Sequence, residues 1–160
     1  MDAALPMPKT TEQLYAKLKD DVSAVASRLF DLSEKLLRES GNFLPHGLVL
    51  NDEGKDTMVG AVEDNGSGMS TSTVTLPLLH QGIREQVTTA RARAVGVAEN
   101  VTITPPGGNA TMAIKVLFEH REGLCVALYL PFKKKLFGGY QMGTAFTVPA
   151  EPEVRAWQPR

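Results

Sequence analysis

The stretch TEQLYAKLKDDVSAVASRLFDLSEKLLRESG, residues 11–41, decides how the rest of the chain can be arranged. It holds no proline, and its only glycine is the last residue, Gly41. Its apolar residues recur at alternating steps of four and three, which places them on one stripe of an α-helix. The stripe consists of Leu18, Val22, Val25, Leu29, Leu32 and Leu36. We therefore predict a long N-terminal helix with a buried stripe.

The ends of this helix are also marked. Thr10 or Thr11 can cap the start, and Gly41 suits a left-handed stop; a bend is expected near Asp20. A helix of about 30 residues is about 45 Å long, which exceeds the width of a small domain. Two arrangements follow: the stripe packs on the chain's own sheet, or part of it overhangs and forms an interface with a second copy.

The middle of the chain predicts a hairpin and a second helix. Residues 43–50 and 56–64 alternate in polarity around a turn at 51–55 and read as two strands. Small polar residues and two glycines at 64–73 indicate a loop. Apolar residues spaced by three and four then predict a helix over 75–93, with Pro77 in its first turn.

The C-terminal half predicts strands. Alternating segments lie at 95–103, 112–118 and 124–132, with a last short strand within 140–148. Together the elements predict an α+β fold, a two-layer sandwich of a five- or six-stranded, mainly antiparallel sheet with both helices on one face. We expect a disordered lead-in at 1–9, a single domain at 10–150 and a C-terminal tail at 151–160.

Composition narrows the functional classes. The chain has 160 residues, a formal net charge of −1 and a single cysteine, Cys125. The near-zero charge disfavours nucleic acid as a partner, because phosphate neutralisation supplies most non-specific affinity. One cysteine cannot form an intramolecular disulfide, which suits a reducing compartment. With no signal peptide or spanning segment in the sequence, we expect a cytoplasmic protein with no membrane partner.

Two resemblances add to this reading. The order helix, two strands, helix, three strands resembles roadblock and profilin-like folds, which implies a dimerising scaffold. Four segments, FLPHG at 43–47, EHREG at 119–123, LPFKK at 130–134 and the stretch from Phe146 to Pro152, resemble a family of small uncharacterised bacterial proteins. That resemblance covers residues 43–152 and implies a bacterial origin without assigning a catalytic residue.

Three polar residues stand where alternation predicts apolar ones: His46, Glu99 and His120. If the strands bring them together, they form a partly buried cleft able to perform acid–base chemistry or bind a divalent metal. Each also has a structural interpretation, as a hydrogen-bonded strand start, a bulge and a turn residue. Cys125 lies in an alternating run and is expected to be a core residue rather than a nucleophile.

Basic residues offer a third hypothesis. Lys133, Lys134 and Lys135 could form an anion-binding patch with Arg84 and Arg91; alternatively the lysines protect a strand end from aggregation. The sequence contains none of the usual metal, phosphate-loop or dinucleotide motifs, so we expect no metal and no cofactor.

We therefore expect a non-enzymatic protein-interaction or scaffolding module, a homodimer through the helix stripe that binds a protein partner through a sheet edge or a helix face. The alternatives are a small-molecule enzyme or ligand-binding protein using the His46, Glu99 and His120 cleft, and an anion-binding protein using the Lys and Arg patch.

Overall fold

A computed structural model describes residues 10–60 and 72–157 of the chain. The described residues form three helices and seven strands. In chain order these are α1 (Thr11–Lys17), α2 (Lys19–Ser40), β1 (His46–Asn51), β2 (Asp56–Gly60), α3 (Ser72–Ala90), β3 (Ala92–Ile103), β4 (Thr111–His120), β5 (Cys125–Lys134), β6 (Tyr140–Met142) and β7 (Phe146–Pro149). The α+β class, the antiparallel sheet and the long N-terminal helix are confirmed. The predicted lead-in at 1–9 and most of the predicted loop at 64–73 lie outside the described residues.

The N-terminal helix follows its sequence signals closely. Thr10 and Gln13 form a reciprocal capping box, and Gly41 ends the helix in the left-handed conformation at φ 79°. The expected bend falls at Leu18, two residues before Asp20, where φ is −103° and ψ is 15°. Leu18 N–H still donates to Leu14 O at 2.8 Å, so α1 and α2 remain close to continuous.

The seven strands form one antiparallel sheet with the order β2-β1-β3-β4-β5-β6, and β7 pairs with β5 beside β6. The long central pair runs from Ala94 opposite His120 to Ile103 opposite Thr111. Consecutive strands pair with each other except β2 and β3, which both flank β1, and β6 and β7, which both pair with β5. Helix α3 therefore lies in the connection from the edge strand β2 to the inner strand β3.

Helices α2 and α3 lie on opposite faces of the sheet, so the expectation that both helices pack on one face is wrong. Helix α2 covers every second residue of the central strands, including Leu48, Leu50 and Ala94. Helix α3 covers the residues between them, including Val49, Val95 and Val97. Central strands that are apolar at consecutive positions must be covered on both sides. We call the side of the sheet beneath α2 the α2 face and the side beneath α3 the α3 face.

Two glycines allow the close approach of the helices. A Cβ at Gly96 would lie 2.4 Å from Val25 Cγ1 and 2.7 Å from Leu29 Cδ1 of α2. On the other face, a Cβ at Gly47 would lie 2.7 Å from Ile83 Cδ1 of α3. Contacts this short do not occur between real side chains, so each helix seats over a glycine.

The predicted C-terminal tail contributes to the core. Val154 is completely buried on the α3 face, and Ala156 and Trp157 pack against the same cluster. The chain after β7 therefore covers part of the sheet that α3 leaves open. Among the described residues, no helix combines the length and the apolar character needed to cross a bilayer.

Candidate functional site

The three polar residues predicted to form a cleft do not converge. His46 and His120 both lie on the α2 face, but His46 is on β1 opposite Ala98 and His120 is on β4 opposite Ala94. Glu99, one residue beyond Ala98, points to the α3 face because successive side chains alternate. The His46, Glu99 and His120 cleft is therefore ruled out by the sheet register.

His46 is a buried structural histidine. Its Nδ1 lies 2.9 Å from Leu44 O, so it carries the proton and donates it to that carbonyl. Its Nε2 then accepts from the Ser33 hydroxyl at 3.2 Å, and the Phe43 ring meets it edge-on. Burial lowers the pKa of His46, partly opposed by the bond to Leu44. The ring therefore joins β1 to α2 in its neutral form.

His120 belongs to a polar cluster that ties the start of α2 to the sheet. Its Nδ1 accepts from Glu122 N–H at 3.1 Å, so its Nε2 carries the proton and donates to Asp21 at 2.9 Å. Arg93 donates two further bonds to the Asp21 carboxylate, at 3.1 and 3.0 Å. Burial alone would raise the pKa of Asp21, but the bonds from His120 and Arg93 and their charges lower it.

Glu99 is part of a separate ion cluster on the α3 face. Lys115 Nζ lies 3.9 Å from Glu99 and 3.1 Å from Glu153. Burial raises the pKa of Glu99 against the opposing charge of Lys115. For Lys115, burial lowers the pKa, but the bond and charge of Glu153 and the charge of Glu99 give a net increase. The carboxylates of Glu99 and Glu153 therefore have the Lys115 ammonium group as their opposite charge.

Glu119, which the sequence patterns did not indicate, anchors the C-terminal segment. The residue is 4% exposed, and its carboxylate accepts three backbone N–H bonds, from Glu153 and Val154 at 2.8 Å and from Arg155 at 2.9 Å. Arg84 of α3 donates to Val154 O at 3.0 Å. We call residues 153–157, held in this way, the C-terminal clamp. Only the sheet register shows Glu119 facing this segment.

Cys125 lies beside this clamp as a half-buried thiol. Burial, with the negative charges of Glu119, Glu153 and Glu151, raises its pKa to about 12. A thiol held in this protonated form is a poor nucleophile near neutral pH. Within residues 10–60 and 72–157, no group of three or more His, Cys, Asp or Glu side chains is placed to hold a metal ion.

The predicted basic patch is divided between distant parts of the molecule. Lys133 and Lys134 end β5, at the level where β3 ends at Ile103. Arg91 precedes the start of β3, about 35 Å away at 3.3 Å per residue, and Arg84 is bonded to the C-terminal clamp. The five residues therefore do not form one patch, and only the lysines at 133–135 remain adjacent.

The predicted helix interface is also corrected. Four of its residues, Leu18, Val22, Val25 and Leu29, are no more than 7% exposed and belong to the core beneath α2. Leu32 and Leu36 are half-buried. The stripe packs on the chain's own sheet, because the bend at Leu18 and the width of the sheet leave little overhang. The stripe is therefore not available as an interface with a second copy.

The described residues leave an open sheet edge at β2. Asn51 N–H donates to Lys55 O at the hairpin turn, and hydrogen-bonded pairs alternate along an antiparallel ladder. Thr57 and Val59 therefore bond to β1, whereas alternate residues turn their N–H and C=O groups away from the sheet. These outward residues are Asp56, Met58 and Gly60. None is a proline, so β2 offers three donors and three acceptors.

The opposite edge is less suited to pairing. Ala150 N–H donates to Cys125 O at 3.2 Å, so by the same alternation the outward residues of β7 are Thr147 and Pro149. Proline has no N–H, which leaves Thr147 as the one outward donor of this four-residue strand. The edge at β7 is therefore blunted, and β6, which borders the same side of the sheet, is only three residues long. Among the described strands, β2 is the edge best suited to accept another strand.

Apolar side chains border β2 on both faces. Met58 packs partly against the core beneath α2, and Val59 against the core beneath α3. Gly82 of α3 lies against Val59, since a Cβ added at Gly82 would be 3.5 Å from Val59 Cγ1. Leu78, one helical turn earlier on the same flank, is 53% exposed. The β2 edge, defined as Asp56–Gly60 with Leu78 beside it, is the candidate functional site.

Comparison of the chain with protein-family models, with curated proteins and with solved structures finds no match. The β2 edge is therefore a candidate site on the basis of its geometry alone.

Proposed function

We propose that this chain is a non-enzymatic interaction module that forms a homodimer by pairing β2 with β2 of a second copy. The observation that carries the proposal is the set of outward main-chain groups on Asp56, Met58 and Gly60. Unpaired strand edges template the addition of another strand, and an unprotected edge is otherwise an aggregation hazard. A closed twofold pairing removes that hazard for both copies.

The residues of β2 suit antiparallel pairing about Met58. A twofold axis at Met58 places Met58 opposite Met58 of the second copy and Asp56 opposite Gly60, so no like charges meet. Because the three outward residues form hydrogen-bonded pairs in this register, about six main-chain bonds join the copies. Arg28 already neutralises Asp56 at 3.3 Å.

The helices leave room for this pairing. Helix α3 lies over β1 and β3 and touches β2 through Gly82. Two copies of β1 in the joined sheet are three strand spacings apart, or about 14 Å. Packed helices need 8–10 Å between axes, so the two α3 helices do not clash. Leu78 then faces the gap between them and is covered by the second copy.

The resemblance to roadblock and profilin-like scaffolds carries the same expectation of a dimer. The rival proposal of an acid–base cleft has less support, because His46 and His120 are engaged in separate structural clusters on one face and Glu99 lies on the other. The half-buried Cys125 thiol, whose pKa is raised to about 12, gives that proposal no nucleophile.

Light scattering after size exclusion tests the proposal. We expect the wild type to show about twice the chain mass of 17.3 kDa. Met58→Lys places two ammonium groups beside each other at the twofold axis, so we expect it to shift the mass to that of one chain. Leu78→Ser should weaken the dimer without abolishing it, because it removes apolar burial and no main-chain bond.

Thr147→Lys is the matched control, because it places the same side chain at the outward position of the other edge. It should leave the mass of the wild type unchanged. Far-ultraviolet circular dichroism confirms that each variant is folded. A wild type that stays at 17.3 kDa at the highest soluble concentration, or a Met58→Lys variant that stays dimeric, contradicts the proposal.

A further inference from the structure

The hairpin between β5 and β6 carries apolar residues at its outermost point. Leu136 is 88% exposed and Phe137 is 96% exposed, the two highest values among the large apolar side chains described. Gly138 and Gly139 follow with φ of 99° and 79°, and Lys135 N–H donates to Gly139 O at 3.0 Å. The tight turn therefore holds both side chains away from the body of the molecule.

Positive charge lies directly beside this apolar tip. Lys133, Lys134 and Lys135 are all exposed, and within the described part of the chain none of them has a carboxylate at ion-pair distance. Lys133 and Lys134 also border a depression of about 670 Å³ lined by residues 109–112 and Phe132. We call Lys133–Phe137 the basic tip.

We propose that the basic tip binds the surface of an anionic lipid bilayer. Leu136 and Phe137 would enter the boundary between headgroups and acyl chains, and the lysines would contact lipid phosphates, with the depression accepting a headgroup. Apolar side chains combined with a basic cluster are the two signals that peripheral attachment needs. Such attachment requires no membrane-spanning helix.

The shape of the tip favours a bilayer over an acidic protein partner. Leu136 and Phe137 project from a convex turn, so a protein would need a preformed pocket to cover both of them. A bilayer accepts a projecting apolar group without one. The three lysines at the base of the hairpin then lie at the depth of the phosphates, where each contributes about a fivefold gain in binding.

Vesicle flotation of the full-length protein tests this proposal. Vesicles of phosphatidylcholine alone are compared with vesicles that also contain phosphatidylglycerol, at low and at high salt. We expect binding only to the anionic vesicles, weakened by salt because screening shortens the reach of the lysine charges. Replacement of both Leu136 and Phe137 by Ser should reduce binding roughly tenfold or more, because it removes the apolar contribution.

Matched charge variants and a fluorescent probe complete the test. Lys135→Glu should lower binding much more than Lys19→Glu, which makes the same charge change near the opposite end of the molecule. Phe137→Trp should show blue-shifted emission with anionic vesicles and unchanged emission with neutral ones. All these positions are exposed, so folding is preserved.

Three outcomes overturn the proposal: no binding to anionic vesicles, binding that survives the loss of Leu136 and Phe137, or binding to polyglutamate in its place. None of these outcomes depends on whether the chain is a dimer, since the tip and the β2 edge lie on different strands.

Discussion

Single residues in this protein set how closely the layers pack. Gly96 is the clearest case, since Val25 Cγ1 and Leu29 Cδ1 of α2 occupy the space that any side chain would need. Gly96→Ala forces α2 away from the sheet, and we expect it to lower the free energy of unfolding by about 1–3 kcal/mol. Urea denaturation measures the loss.

Gly60→Ala is the control for this substitution, because a Cβ there meets no atom of the described residues within 4 Å. It should leave stability equal to or slightly above that of the wild type. Equal stabilities of the Gly96→Ala variant and the wild type would contradict the close packing of α2 on β3.

His46 predicts a pH dependence of stability. Its pKa is lower in the folded chain than in the unfolded chain because burial disfavours the charged ring, so the unfolded chain binds the proton more readily. Its contribution is therefore complete above the unfolded pKa, and stability falls as the pH drops below about 6.5. The fall continues until the pH passes the folded pKa.

Denaturant unfolding between pH 8 and pH 5 checks this expectation. His46→Gln should be less stable at pH 8 by roughly 1 kcal/mol, because the bonds to Ser33 and Leu44 are weakened. It should also lose less stability than the wild type on acidification. Two parallel profiles would show that His46 does not titrate on unfolding in this range.

Among the larger elements, the C-terminal clamp has three of its backbone N–H groups bound by one side chain. Glu119 accepts three backbone N–H bonds from residues 153–155. Glu119→Gln replaces one acceptor oxygen with a donor that faces these N–H groups, and we expect a loss of about 1–3 kcal/mol. Because Trp157 belongs to the clamp and packs on the core, its emission should shift to the red.

Glu151→Gln serves as the control, because it removes a charge from the same segment at an exposed position outside the clamp. Its Trp157 emission and its stability should match those of the wild type. An unshifted emission maximum in the Glu119→Gln variant would mean that the clamp holds without this carboxylate.

The sequence patterns predicted where helices and strands lie along the chain better than they predicted how these elements pack together. The stripe from Leu18 to Leu36 indicated its helix correctly, because the spacing of apolar residues depends only on local helical geometry. The face on which each helix packs was missed, because strands such as Leu48-Val49-Leu50 are apolar at consecutive positions and do not show which helix covers which side.

The candidate sites depended even more on tertiary register. Whether His46, Glu99 and His120 meet is decided by pairing between β1, β3 and β4, and a shift of one residue would reverse the face of each side chain. The β2 edge could be expected as a hairpin strand, but its position at the border of the sheet follows from the β1–β3 pairing, which no local pattern encodes.

For the whole molecule, the unequal edges suggest how it associates. The β7 edge is blunted by Pro149, the basic tip projects from the β5–β6 hairpin, and the β2 edge keeps its outward groups. A dimer built through antiparallel β2 strands points its two basic tips toward opposite ends of the joined sheet, so one flat bilayer engages only one of them. A dissociated variant such as Met58→Lys should therefore bind anionic vesicles about as well as the wild type if both proposals hold.

Amide hydrogen exchange along β2 tests the proposed pairing most directly. In a dimer joined at this edge, the outward amide of Met58 is as protected as the inward amides of Thr57 and Val59. Dilution then removes the protection of Met58 and of the other outward amides, while Thr57 and Val59 keep theirs. The outward amide of Thr147 on the other edge exchanges rapidly throughout. If Met58 exchanges as fast as Thr147 at every concentration, no second strand covers β2 and the proposed dimer does not form.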